Sequence, residues 1–96
     1  MVIVTGSITA EEEHVAEVER LSLEHVRRSR TEPGCLLHSV HRDVEDPRRF
    51  VFLEHWADQA SLQRHFEVPD SGRFVEAVSA LAAEPPSIEV YTAEAM

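Results

Sequence analysis

The spacing of apolar positions changes period several times along this chain, and each change marks an element. Residues 2–8 are few and rich in β-branched side chains, which suits a strand. Over residues 10–31 the period lengthens. Val15, Val18, Leu21, Ser22, His25 and Val26 recur at helical spacing and form one face of an amphipathic helix. Thr9-Ala10-Glu11-Glu12 has the form of a capping box, with Thr9 as the N-cap. Glu11, Glu12 and Glu13 at the start and Arg27, Arg28 and Arg30 at the end complement the helix macrodipole. Pro33-Gly34 stops the helix.

Two further strand patterns follow, at residues 36–43 and 50–56, joined by residues 44–49 with turn chemistry at Asp46-Pro47. A connection this short implies an antiparallel hairpin. Asp58 suits the N-cap of a second helix carrying Ala60, Leu62 and Phe66. Residues 68–72 interrupt it, and Phe74, Val75, Ala77, Val78 and Leu81 resume the helical period to about residue 83. Pro85-Pro86 ends it, and residues 88–92 read as a last strand. The order β-α-β-β-α-β is the split βαβ pattern, an α+β fold of ferredoxin-like type with a four-stranded antiparallel sheet.

One consequence follows from the third strand alone. Phe50, Phe52 and Trp56 point to one face of the sheet and Val51 and Leu53 to the other. Two helices cover only one face of such a sheet. The expectation is a homodimer in which a second copy covers the other.

Composition narrows the function classes. The 96 residues fit one domain, residues 1–96, with 43% hydrophobic and 28% charged residues, ordinary for a globular protein. The formal net charge is −9, and every basic residue is Arg. Phosphate backbones and anionic membrane surfaces repel that charge, so neither nucleic acid nor membrane is expected as a partner. No apolar run approaches membrane-spanning length and no secretory leader pattern opens the sequence, which points to the cytoplasm. Cys35 is the only cysteine and reads as a small buried residue at a strand start. Three glycines cannot build a nucleotide-phosphate cradle.

The chemistry-bearing residues lie between Glu32 and Phe74. Glu32-Pro33-Gly34-Cys35 precedes the hairpin, Glu54-His55-Trp56 ends it, His65 follows Trp56 by nine residues, and Phe74 follows His65 by nine. In this order and spacing the chain resembles the antibiotic biosynthesis monooxygenase family over nearly its whole length. The resemblance implies a dimeric ferredoxin-like α+β barrel in which two sheets pack face to face. It also matches His65 to the family's helix histidine and Phe74 to the family pattern. Just before Phe74 the family often carries a second histidine, where this chain has Arg73. The position of the iron-binding histidine in haem-degrading relatives falls near Val78, which disfavours haem, with His25 or His38 still open as a ligand.

His65, beside Leu62 and Phe66, is the candidate general base, able to take a proton from a phenolic or enolic substrate. Its other reading is a partly buried histidine bonded to a carbonyl or carboxylate. Glu54, Trp56 and Phe74 are the candidate pocket-lining residues. Trp56 also suits simple core packing, and Glu54 also suits a pair with an Arg or a histidine. The remaining histidines do not suggest a metal site. His14 and His25 lie three helical turns apart, His38 and His41 point to opposite faces, and His38 and His55 share a face only in one hairpin register. Two histidines without a third ligand make a poor site, so no metal and no other cofactor is expected. The expected function is a cofactor-independent monooxygenase acting with dioxygen on a small apolar or aromatic substrate, a polyketide-like phenol or quinol. The alternatives are a non-catalytic ligand-binding module and an isomerase of small hydroxyketones.

Overall fold

The computed structural model describes all residues, 1–96. Its strands are β1 (Val2–Thr9), β2 (Cys35–Asp43), β3 (Asp46–Trp56) and β4 (Ser87–Thr92), and its helices are α1 (Val15–Ser29), α2 (Gln59–Glu67) and α3 (Pro69–Leu81). The strands form one antiparallel sheet in the order β2-β3-β1-β4. This is the ferredoxin-like α+β arrangement, with the second helix of the pattern divided in two. No helix is long and apolar enough to cross a membrane.

Three local expectations need correction. Thr9 does not cap a helix, because it still belongs to β1 and pairs with Arg49. Ala10 then bridges to Ala82, and a short 3-10 turn, Glu12–His14, precedes α1. The sheet ladder outcompetes the capping box for this backbone. The hairpin connection is also shorter than the turn signal suggested. Only Val44 and Glu45 lie outside the strands, and β3 already begins at Asp46. Pro47 is accommodated because residues 47–49 form an irregular step with no partner on β2, where a missing N–H costs no ladder bond. The helix interruption shrinks to Val68. Pro69 occupies the first turn of α3, where its fixed φ suits the helix and its missing donor is not needed.

Asp58 does cap α2, accepting the Ser61 backbone N–H at 2.8 Å. Gly34 has φ +82°, and a Cβ there would sit 2.0 Å from Ser61 Oγ. The turn that ends α1 therefore requires glycine on two counts, conformation and space.

The helices cover the sheet face that carries Val2, Val4 and Ile8 from β1 and Phe50, Phe52, Glu54 and Trp56 from β3, all buried. Two apolar clusters form there. One holds Ile8, Ala10, Val18, Val26, Phe50, Phe52 and Val78, and the other Val2, Val4, Trp56 and Leu62. Glu54 and His38 are buried on this same face, and His65 and His25 are buried on the helices packed above it. The opposite face carries Ile3, Leu37, Val51, Leu53 and Tyr91, with no helix over it.

Candidate functional site

Sheet register sets the first half of the site. His38 of β2 stands directly opposite Glu54 of β3, with Val4 of β1 on the other side. Trp56 lies two residues along the same face, and its indole Nε1–H donates to Glu54 Oε1 at 2.8 Å. His38 Nε2 is 3.3 Å from the same oxygen but outside hydrogen-bond geometry, and neither nitrogen of this fully buried ring has a hydrogen-bond partner.

The helices supply the second half. His65 of α2 is 3% exposed and lies tilted on the Trp56 ring, centroids 4.6 Å apart. Its Nδ1 is 2.8 Å from Glu32 Oε1. A carboxylate only accepts, so Nδ1 carries the proton and the Nε2 lone pair faces the site, 3.9 Å from Glu54 Oε1. His25 of α1 stacks on Phe74 at 4.0 Å, with ring planes 6° apart. Arg28 donates to His25 Nδ1 at 2.7 Å and also to Ser71 Oγ at 3.2 Å.

Burial, and then the neighbouring His38, Arg28 and His65, push the His25 imidazole down to about 2, so it is neutral at working pH. Burial pushes the Glu54 carboxyl up. The contributions of His38, the Trp56 N–H and His65 outweigh it and hold the group below the usual carboxylate range. Burial, reinforced by Glu32 and Glu54, pushes the Cys35 thiol up, which argues against a thiolate nucleophile.

These shifts predict acid sensitivity. His25 is depressed in the folded state relative to about 6.5 in the unfolded chain, so its contribution is complete above pH 6.5 and is lost as pH falls. The expected slope is about 1.4 kcal/mol per pH unit below 6.5, steepening once the Glu54 range is entered. Urea unfolding at pH 7, 6 and 5 measures it, and His25→Gln should flatten the curve. Parallel curves for the variant and the wild type would contradict the assignment.

A cleft of about 340 Å³ opens onto this network. Ile8, Phe52, Phe74 and Val78 form apolar walls, and Glu54, His65, His25 and Ser71 supply polar groups. The half-exposed Phe66, Val75 and Ile88 also line it and are its most solvent-exposed apolar side chains. Gly6 lies on this face between Phe52 and Ile88, and a Cβ on it would come within 3.1 Å of the Ser87 carbonyl oxygen.

Of the residues singled out in the sequence, His65, Glu54 and Phe74 line the cleft together. Trp56 does not. It is fully buried behind Glu54 and touches the site through its N–H. Whether the histidines converge was open in the sequence, and the structure brings three of them together. His25, His38 and His65 each bring a ring nitrogen within 4.8 Å of the others. His55 is not in this set, because it pairs with Leu37 and Ile3 on the opposite face. The sequence did carry signals for His25, which falls on the apolar stripe of α1, and for His38, which alternates in phase with Val40. Glu32 offered none, since only tertiary packing brings it to a helix 33 residues later.

Comparison with known proteins shows the family and the fold. Residues 1–77 match the profile of the family described as Antibiotic biosynthesis monooxygenase. An uncharacterised protein of Synechocystis is 34% identical over 90 residues, 94% of this chain. The chain spans 61% of that relative's length. A proposed antibiotic biosynthesis monooxygenase of Deinococcus radiodurans superposes with a TM-score of 0.95 at 30% identity, covering 100% of this chain and 95% of the other. The Pseudomonas aeruginosa protein PA3566 superposes at 0.87 with 32% identity, covering 98% and 94%.

Proposed function

Because the chain belongs to the antibiotic biosynthesis monooxygenase family, we propose that it is a monooxygenase acting with dioxygen on a flat phenolic or quinol-type substrate, without a cofactor. The observation that carries this reading is the apolar cleft that meets the His65–Glu54 pair, with Glu32 behind the imidazole. A polycyclic phenol lies between aromatic walls with its hydroxyl toward His65. The Nε2 lone pair takes the phenolic proton. Glu32 and Glu54 stabilise the resulting imidazolium from either side, as carboxylates do for a general-base histidine. The electron-rich anion left in the cleft then reduces dioxygen directly. One oxygen atom enters the ring carbon, the other leaves as water, and a phenol becomes a quinone. The protein contributes desolvation, orientation and the proton acceptor.

The test is oxygen uptake by purified, chelator-treated protein with a panel of quinols and polycyclic phenols. Uptake above the uncatalysed autoxidation rate is expected with at least one aromatic substrate. Ligand-induced thermal stabilisation across the panel without any product would favour the binding-module reading instead.

The proposal includes a cytoplasmic homodimer. Ile3, Leu37, Val51, Leu53 and Tyr91 form an apolar face that no helix covers, and a second copy of the same face would bury it. Sedimentation velocity at micromolar concentration should show a dimer. A stable monomer there would remove this part of the proposal.

A further inference from the structure

We propose that His25, His38 and His65, with the Glu54 carboxylate, form a binding site for one divalent first-row transition ion of the zinc type. A bound ion would silence the oxygenase by occupying the His65 lone pair. The binding stands on geometry alone, and only the effect on turnover rests on the function proposed above.

The ring positions make the case. The three imidazole centroids are 5.3, 5.4 and 5.5 Å apart, close to an equilateral triangle. A tetrahedral ion with nitrogens at about 2.0–2.1 Å holds three imidazole centres about 5 Å apart. The rings therefore already stand at ligand spacing, and reorientation about their side-chain torsions is the main adjustment needed to bring the nitrogens together. His38 is 2% exposed, its Nδ1 has no partner and its Nε2 meets only Glu54 Oε1, at 3.3 Å and off hydrogen-bond geometry, although leaving a buried imidazole under-satisfied is costly. A metal ion resolves that cost. Glu32 fixes the proton of His65 on Nδ1 and turns Nε2 inward, the carboxylate–histidine relay that commonly supports a metal-bound imidazole. Glu54 Oε1 lies 3.3 Å from His38 Nε2 and 3.9 Å from His65 Nε2, where a fourth ligand belongs. Imidazole with one carboxylate is a donor set for zinc and its neighbours rather than for calcium or magnesium.

Arg28 opposes the site. Its guanidinium donates to His25 Nδ1, which places the His25 proton on Nε2, and it adds a positive charge nearby. Binding through Nε2 must move that proton and loosen the Arg28 contact. Removing Arg28 should therefore tighten metal binding, which adventitious binding at surface carboxylates would not show.

The experiment titrates Co²⁺ into the metal-free protein and follows the visible absorption of low-symmetry, nitrogen-ligated cobalt, with Zn²⁺ as competitor. The expected result is one ion per chain. The band should be lost in His38→Phe and in His38→Gln, two variants of different size, so that one failing to fold does not remove the control. Glu32→Gln should weaken binding by roughly 10- to 100-fold, and Arg28→Met should strengthen it. Absence of a stoichiometric cobalt band in folded wild-type protein would overturn the site. So would a band indifferent to both His38 variants. Zn²⁺ at one equivalent should abolish quinol-dependent oxygen uptake, and unchanged or increased uptake would overturn the inhibitory role. A metal-free protein with no uptake at all would count against the oxygenase and leave the cobalt result to judge the site.

Discussion

Replacing His65 with alanine should lower turnover of a phenolic substrate by roughly 10²- to 10⁴-fold, the usual cost of losing a general base. KM should change much less, because a proton acceptor acts mainly in the transition state. The pH–rate profile should also lose its acidic limb, which reports protonation of the imidazole. Glu32→Gln should act through His65. It keeps a group that can accept the Nδ1–H but removes the charge that stabilises the imidazolium, so kcat should fall while the fold survives. Stability must be followed in parallel, since His65 fills a buried place between Trp56 and Glu32. A folded His65→Ala protein with full activity would remove the residue from the mechanism. The same variant with a lowered melting temperature and intact activity per folded molecule would make His65 structural.

The largest expected effect on stability belongs to Trp56. Its side chain is 0% exposed, packs with Val2, Val4 and Leu62, and donates to a buried carboxylate. Trp56→Ala should destabilise by about 3–5 kcal/mol, from lost burial and the cavity left behind. Trp56→Phe separates the two contributions. It keeps much of the apolar volume but leaves Glu54 without its indole donor, which should cost about 1–3 kcal/mol. Glu54 should then titrate higher than in the wild type, because one of the groups holding it down is gone. Urea unfolding of the two variants measures both effects. A Trp56→Ala protein within about 1 kcal/mol of wild type would contradict the packing described here.

Much of the fold was legible in the sequence because period-2 and helical spacings are local properties. The order of elements along the chain and the two-sided character of β3 followed from them. Boundaries failed where tertiary pairing competed with local chemistry. Thr9 carried a sound capping signal, yet its backbone was already committed to the sheet. Asp46-Pro47 carried a sound turn signal, yet the turn closed two residues earlier. The site was legible in part. The spacing of Glu54, Trp56, His65 and Phe74 marked the right region, but it did not reveal that Trp56 stands behind Glu54. The convergence of His25, His38 and His65 depends on hairpin register and on how α1 and α2 sit on the sheet. Neither is encoded in the spacing of histidines along the chain. The irregular step at residues 47–49 sets the register that places His38 opposite Glu54, and no propensity forecasts that step; alternation along β3 puts His55 on the other face.

The central claim is that a substrate bound in the cleft is oxygenated by dioxygen after losing a proton to His65. Isotope labelling tests it most directly. A polycyclic phenol turned over by the chelator-treated protein under ¹⁸O₂ should yield a quinone carrying one labelled oxygen, with the second labelled atom in water. His65→Ala should abolish that incorporation. A product whose new oxygen comes from solvent, or substrate recovered without any label while it demonstrably occupies the cleft, would contradict the account.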